Sequence, residues 1–164
     1  MKASQIRNEL RIDTPVGRLR LVASDKGLQA IEVGRGAKMG ASNEITAPDK
    51  KANMYLANAK KQLDEYFSGK RTKFDVALDL QGTEFQVRAW KALCRIPYGK
   101  TISYGQQAKS IQNPKAFRAV GSANGRNPIP IIVPCHRVIA GDGTLGGYSS
   151  GLKMKEQLLD LEAR

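Results

Sequence analysis

The segment Pro134-Cys135-His136-Arg137-Val138 places the chain's single histidine directly after one of its two cysteines, with an arginine next. A thiolate is a nucleophile and a metal ligand. A nearby imidazole or cation lowers the thiol pKa and makes that form accessible. Neighbours on an extended chain point to opposite faces, so Cys135 and His136 are expected to communicate through a water rather than by contact. A buried structural cysteine beside a surface histidine is the plainer reading, and the local pair alone leaves both open. Cys94 falls on the apolar side of its helical segment and reads as a buried structural residue. Two cysteines and one histidine do not make a disulfide framework or an ordinary structural zinc site. A mixed site with carboxylates is the remaining metal arrangement. Neither a metal nor a cofactor is expected.

Charge narrows the setting. The 164 residues carry 27 Lys and Arg against 15 Asp and Glu, a net charge of +12. No acidic residue occurs from Phe85 to Gly141, while Arg88, Lys91, Arg95, Lys100, Lys109, Lys115, Arg118, Arg126 and Arg137 all do. Such a run is an electrostatic footprint for a polyanion. An anionic membrane fits less well, because the charges lie among globular motifs and not on an amphipathic tail.

The elements that must position these residues can be read from caps and periodicity. Thr83 caps a helix carrying Phe85, Val87, Trp90, Leu93 and Cys94. Ser103 with Gln106 forms a capping-box pattern that opens a short helix through about Ser110. Asn113 as cap and Pro114 at the first helical position predict a further helix through Ala123. Two short helices with a tight turn in an acid-free stretch suggest a helix-turn-helix, although helical hairpins are common. Ile129 to Val133, bracketed by prolines, reads as an extended buried segment that delivers Cys135. Gly141 to Gly151 is a glycine-rich loop. Leu152 to Leu161 is a final helix with Leu152, Leu158, Leu159 and Leu161 as its apolar residues.

Upstream, residues 7–12, 18–22 and 28–33 read as strands, and residues 34–49 as a loop. Ala52 to Tyr66 has Met54, Leu56, Leu63, Tyr66 and Phe67 at helical spacing. Residues 74–80 alternate as a strand or an extended linker. The expected fold is α/β (α+β). A small N-terminal sheet-and-helix domain, residues 1–81, packs on a mostly helical, winged-helix-like C-terminal domain, residues 82–164. No apolar run approaches the ~20 residues of a membrane span, and the N-terminus has no apolar signal core. A soluble, intracellular monomer without membrane attachment is expected, cytoplasmic and nucleoid-associated, or nuclear in a eukaryote.

The flanks of Cys135 are more telling than the pair itself. The run from Asn127 through Pro134-Cys135-His136-Arg137-Val138 resembles the active-site signature of the O6-alkylguanine-DNA alkyltransferases. Ile102-Ser103-Tyr104-Gly105-Gln106 and Asn113-Pro114-Lys115-Ala116 resemble that family's helix-turn-helix. Gly147-Tyr148-Ser149 onward to Glu162 resembles its active-site loop and closing helix. The likeness runs from about Gly82 to the C-terminus and is specific there. Upstream it is one of general layout.

The resemblance implies direct repair of double-stranded DNA containing O6-alkylguanine, with O4-alkylthymine as a further possible substrate. One alkyl group would pass irreversibly to Cys135 in each molecule. It implies that His136 takes the thiol proton through a water, that Glu162 holds the imidazole, and that Asn127 orders the active-site turn. Tyr104 would stabilise the departing guanine. Val138, Tyr148 and Ser149 would line the base pocket, and Arg118 would enter the base stack where the nucleotide turns out. Lys115, Ala116 and Ala119 would meet DNA through the minor groove. Cooperative binding along DNA stays open. Each residue has a plainer reading: Glu162 a solvated tail residue, Asn127 a turn asparagine, Tyr104 a surface tyrosine, Arg118 a phosphate contact. The ligands of the zinc site carried by some members are missing here. A DNA-binding regulator would leave Cys135, His136 and Glu162 idle. A cysteine hydrolase would leave the DNA features unexplained.

Overall fold

The computed structural model describes residues 8–34 and 49–164. The first expected strand's Arg7 and nearly all of the expected loop at 34–49 lie outside those residues. The chain divides into two compact units, Met1–Leu80 and Gln81–Arg164.

In the first unit β1 (Asn8–Thr14), β2 (Gly17–Ala23) and β3 (Leu28–Val33) form an antiparallel sheet in that order. Thr14 pairs with Gly17, so Pro15 and Val16 alone make the turn. The register pairs Leu10 with Leu21 and Ile12 with Leu19. Alternation then puts these buried leucines and isoleucine on one face. The other face carries a ladder in which Arg20 bridges Glu9 and Glu32. Helix α1 (Lys50–Phe67) is capped by Asp49, whose side chain accepts from the amides of Lys51 and Ala52. It buries Leu56, Leu63 and Tyr66, but Met54 is exposed and not part of the stripe. Residues 74–80 are not a full strand. They make one parallel bridge, Leu28 to Leu78. The Gln62 side chain holds Asp75 by both its amide and its carbonyl.

The second unit supplies three helices, α2 (Glu84–Leu93), α3 (Tyr104–Ser110) and α4 (Phe117–Gly125). Both predicted capping boxes, Thr83 with Gln86 and Ser103 with Gln106, are present. Buried polar contacts tie the three together. Trp90 Nε1 donates to the Ala123 carbonyl, and Gln107 and Asn124 exchange two amide hydrogen bonds. Ile102–Ser103 (β4) pairs in parallel with Val138–Ile139 (β5), and α5 (Leu152–Glu162) closes the unit. Among the described residues no helix is long and apolar enough to cross a membrane.

Four further expectations need correcting. The third helix does not begin at Pro114. Residues 113–116 form a turn closed by Ala116 N to Asn113 O, and α4 starts at Phe117 with no side-chain cap. An i→i+3 bond has replaced the first α-helical turn. Residues 129–133 are buried but not extended. Val133 N reaches back to Ile129 O, and Ile131 takes a left-handed conformation at φ 75°. Cys94 is exposed and not buried as expected; it is the C-cap of α2, at the helix end. Leu152 is exposed as well, at the first position of α5.

Candidate active site

The turn that precedes Cys135 is held from within. Asn127 Nδ2 donates to Val133 O at 2.8 Å, and its Oδ1 accepts from Ile129 N at 2.9 Å. One side chain therefore closes both ends of a turn whose β-branched Ile131 sits where L-residues rarely do. Strain of that kind costs about 1–3 kcal/mol and persists only when the surroundings fix it. The chain leaves the turn through Pro134 into a single 3₁₀ turn, Cys135–Arg137. Cys135 and His136 are thus consecutive residues of a tight helix rather than of a strand.

All three residues of that turn are buried. His136 Nε2 lies 2.5 Å from Glu162 Oε2. A carboxylate there fixes the neutral imidazole with its proton on Nε2 and leaves Nδ1 as the basic nitrogen. Nδ1 is buried and has no partner among the described residues. Burial pushes the His136 pKa below its ordinary value, against the pull of Glu162. The ring is therefore neutral and able to accept a proton at pH 7. Glu162 is 5% exposed although it ends α5. Its Oε1 accepts from Arg137 Nε at 2.7 Å and its Oε2 from Arg137 Nη2 at 3.2 Å. Arg137 also donates to Ile96 O at 2.7 Å and lies over the Tyr98 ring. The guanidinium offsets the cost of a negative charge at a helix C-terminus.

The Cys135 thiol is pushed up by burial. The Asn127 side chain, the Lys155 ammonium and the Tyr148 hydroxyl act the other way, favouring the thiolate. Lys155 was not foreseen. It is fully buried on α5, and its Nζ donates to the carbonyls of Val138 (2.7 Å), Leu145 and Gly147 (3.1 Å). Burial lowers its pKa while Cys135 supports the charge. Its spacing to Leu158 and Glu162, three and seven residues, was the available signal: all three share the buried stripe.

A cavity of about 310 Å³ is lined in part by Cys135. Tyr104 lines it from the start of α3, Gly121, Asn124 and Gly125 from α4, and Gly147, Tyr148 and Ser149 from the loop before α5. Asn124, in the stretch expected to set the pocket's width, is one of the walls; Gly121 and Gly125 were not foreseen. Val138 is not among the lining residues. It is buried on β5, and its carbonyl anchors Lys155. The Tyr104 ring lies between Gly121 and Gly146. A Cβ on Gly146 would come within 3.2 Å of the ring and hydroxyl, and Gly146 also has φ 71°. Burial raises the Tyr104 and Tyr148 pKa values, so both phenols hold their protons. Lys115, Arg118 and Ala119 are exposed and Ala116 half-buried along the turn and the start of α4.

A buried cysteine lining a cavity, followed by an imidazole held by a carboxylate, in a three-helix unit rich in lysine and arginine, is an arrangement suited to cysteine-dependent group transfer. Residues 84–164 match the family model described as 6-O-methylguanine DNA methyltransferase, DNA binding domain. Residues 10–80 match that of the 6-O-methylguanine DNA methyltransferase, ribonuclease-like domain. A methylated-DNA–protein-cysteine methyltransferase of Methanosarcina barkeri is 50% identical over 92% of this chain and 94% of its own. One of Mycobacterium tuberculosis is 49% identical over 92% and 89%. The crystal structure of Mycobacterium tuberculosis OGT in complex with DNA is similar over 93% of this chain and 91% of that one, with 48% identity and a TM-score of 0.79. The chain belongs to the methylated-DNA–protein-cysteine methyltransferase family.

Proposed function

We propose that this protein repairs alkylated DNA by transferring the alkyl group of O6-alkylguanine to Cys135 Sγ. The observation that carries the assignment is the cavity lined in part by a buried Cys135, with His136 held by Glu162 beside it. The S–H proton passes toward His136 Nδ1 through a water. The sulfur lone pair then forms the S–C bond as the C–O6 bond breaks, and that electron pair stays on guanine. The Tyr104 phenol, protonated and half-buried, faces the leaving group and stabilises its charge. One proton returned to the base completes the balance: the thiol hydrogen has replaced the alkyl group. The product is a thioether without a good leaving group, so each molecule acts once.

Asn127 fixes the turn that presents Cys135, and Val138, through its backbone, with Tyr148 and Ser149 shapes the base pocket. The second unit binds duplex DNA through Lys115, Ala116 and Ala119. Arg118 fills the gap left by the turned-out nucleotide, which offsets part of the few kcal/mol that flipping costs. An N-terminal α/β domain, residues 1–81, precedes the DNA-binding acceptor domain, residues 82–164.

The test is intact-protein mass after incubation with a duplex containing O6-methylguanine. A gain of one methyl group on Cys135 is expected, none in Cys135→Ala, with no turnover past one equivalent. An unmodified wild-type protein overturns the assignment.

A further inference from the structure

Phe117 is one of three large apolar side chains left exposed among the described residues, at 48%. It is the first residue of α4. Exposure of one phenylalanine means little by itself, but the position of this one is particular. Residues four apart on a helix share a face, and seven apart nearly so. Phe117, Gly121 and Asn124 therefore form one stripe, and Gly121 and Asn124 both line the cavity that holds Cys135. Phe117 stands one turn further along that stripe, about 6 Å along the axis from Gly121. Phe117 is not itself a lining residue; it continues the stripe one turn beyond the cavity wall. The Arg118 guanidinium lies 5.9 Å from the ring centroid, within cation–π range. No acidic residue lies within 20 residues on either side in sequence.

We infer that Phe117 is a second DNA wedge, working with Arg118 at the start of the helix whose next turns wall the cavity. The inference rests on the alkyl-transfer reading above. In free protein the ring holds the guanidinium against the start of α4. On DNA the two part: Arg118 enters the vacated stack, and the ring lies flat against the neighbouring base or sugar in the minor groove. Apolar side chains inserted at base steps are a recurrent device for unstacking duplexes from that groove. An aromatic face accepts any base, which suits repair without sequence preference. The basic surroundings name the occupant as nucleic acid rather than another apolar surface.

The experiment uses full-length Phe117→Ala and Phe117→Trp beside wild type, with two measurements. The first is affinity for, and single-turnover transfer from, an O6-methylguanine duplex. The second is the rate at which iodoacetamide modifies Cys135, which reports the integrity of the site without DNA. Phe117→Ala is expected to bind the duplex about tenfold more weakly and to transfer more slowly. Phe117→Trp should stay near wild type, and all three should react equally with iodoacetamide. Duplex binding by Phe117→Ala within about twofold of wild type overturns the inference. So does an equal loss in the iodoacetamide reaction, which would make Phe117 a packing residue. Failure of wild type to accept the methyl group would instead strike the function itself.

Discussion

Glu162→Gln is the perturbation that separates the site's chemistry from its architecture. The substitution keeps shape and removes the charge. Oε1 now serves Arg137 Nε at 2.7 Å and a long contact from Gly99 N at 3.4 Å, while Oε2 serves His136 Nε2 at 2.5 Å and Arg137 Nη2 at 3.2 Å. A glutamine has one oxygen, so its NH₂ must face a donor, either the imidazole N–H or the guanidinium. In both placements the Arg137 guanidinium, 6% exposed, loses its counter-charge. Leaving one half of a buried pair unpaired costs about 3–5 kcal/mol. At roughly 2–4 °C per kcal/mol for a chain of this size, Tm falls by about 10 °C. The imidazolium formed when Cys135 gives up its proton also loses its stabilising carboxylate, so the transfer rate falls by about 10²- to 10⁴-fold. Arg137→Leu is the companion. It is destabilised comparably, yet it keeps the His136–Glu162 contact and should retain more of the rate. The assay is single-turnover transfer from an O6-methylguanine duplex, well below the Tm of the weaker variant, with thermal unfolding measured alongside. A Glu162→Gln rate within about threefold of wild type refutes the orienting role. A Glu162→Gln Tm within about 2 °C of wild type refutes the buried-pair argument. Arg137→Leu slower than Glu162→Gln would transfer the orienting role to the arginine.

Two further outcomes follow from the same geometry. Lys155→Met removes three hydrogen bonds to loop carbonyls and the cation beside Cys135. Residues 141–150 should become more sensitive to limited proteolysis, and iodoacetamide should modify Cys135 about tenfold more slowly at neutral pH; unchanged thiol reactivity would mean the ammonium acts on the loop alone. The pH dependence of stability has two arms with fixed signs. His136 is lowered in the fold, so its contribution is present above about pH 6.5 and is lost as pH falls toward its folded value. Cys135 is raised, so its contribution is present below about pH 8.5 and is lost as pH rises through the folded value. Urea unfolding from acid to alkaline pH should show Cys135→Ser without the alkaline loss attributable to the thiol, and an identical alkaline slope in both proteins counts against the buried-thiol argument.

What could be read ahead of the structure was whatever local chemistry writes into neighbouring residues. Thr83 with Gln86 and Ser103 with Gln106 announce helix starts because each pair satisfies its own orphan amides. The hairpin around Pro15 and the α1 stripe are likewise local. The misses have a common cause: each depends on a partner distant in sequence or on a conformation that residue type disfavours. Ile131 is β-branched and was expected to extend, but the Asn127 clamp holds it left-handed. Asn113 looked like a helix cap, yet its backbone carbonyl, not its side chain, closes the turn before α4. Lys155 is the sharpest case. Lysine is a residue almost never buried without partners, and its partners here are backbone carbonyls that no side-chain pattern encodes. The spacing Lys155, Leu158, Glu162 nevertheless put a cation and an anion on the buried stripe of one helix. That arrangement makes physical sense only if each reaches a fixed partner. Glu162 reaches the histidine that would take the proton from Cys135, and Lys155 reaches the loop that walls the cavity. One helix thereby holds both the imidazole and the cavity loop on which the proposed chemistry of Cys135 depends.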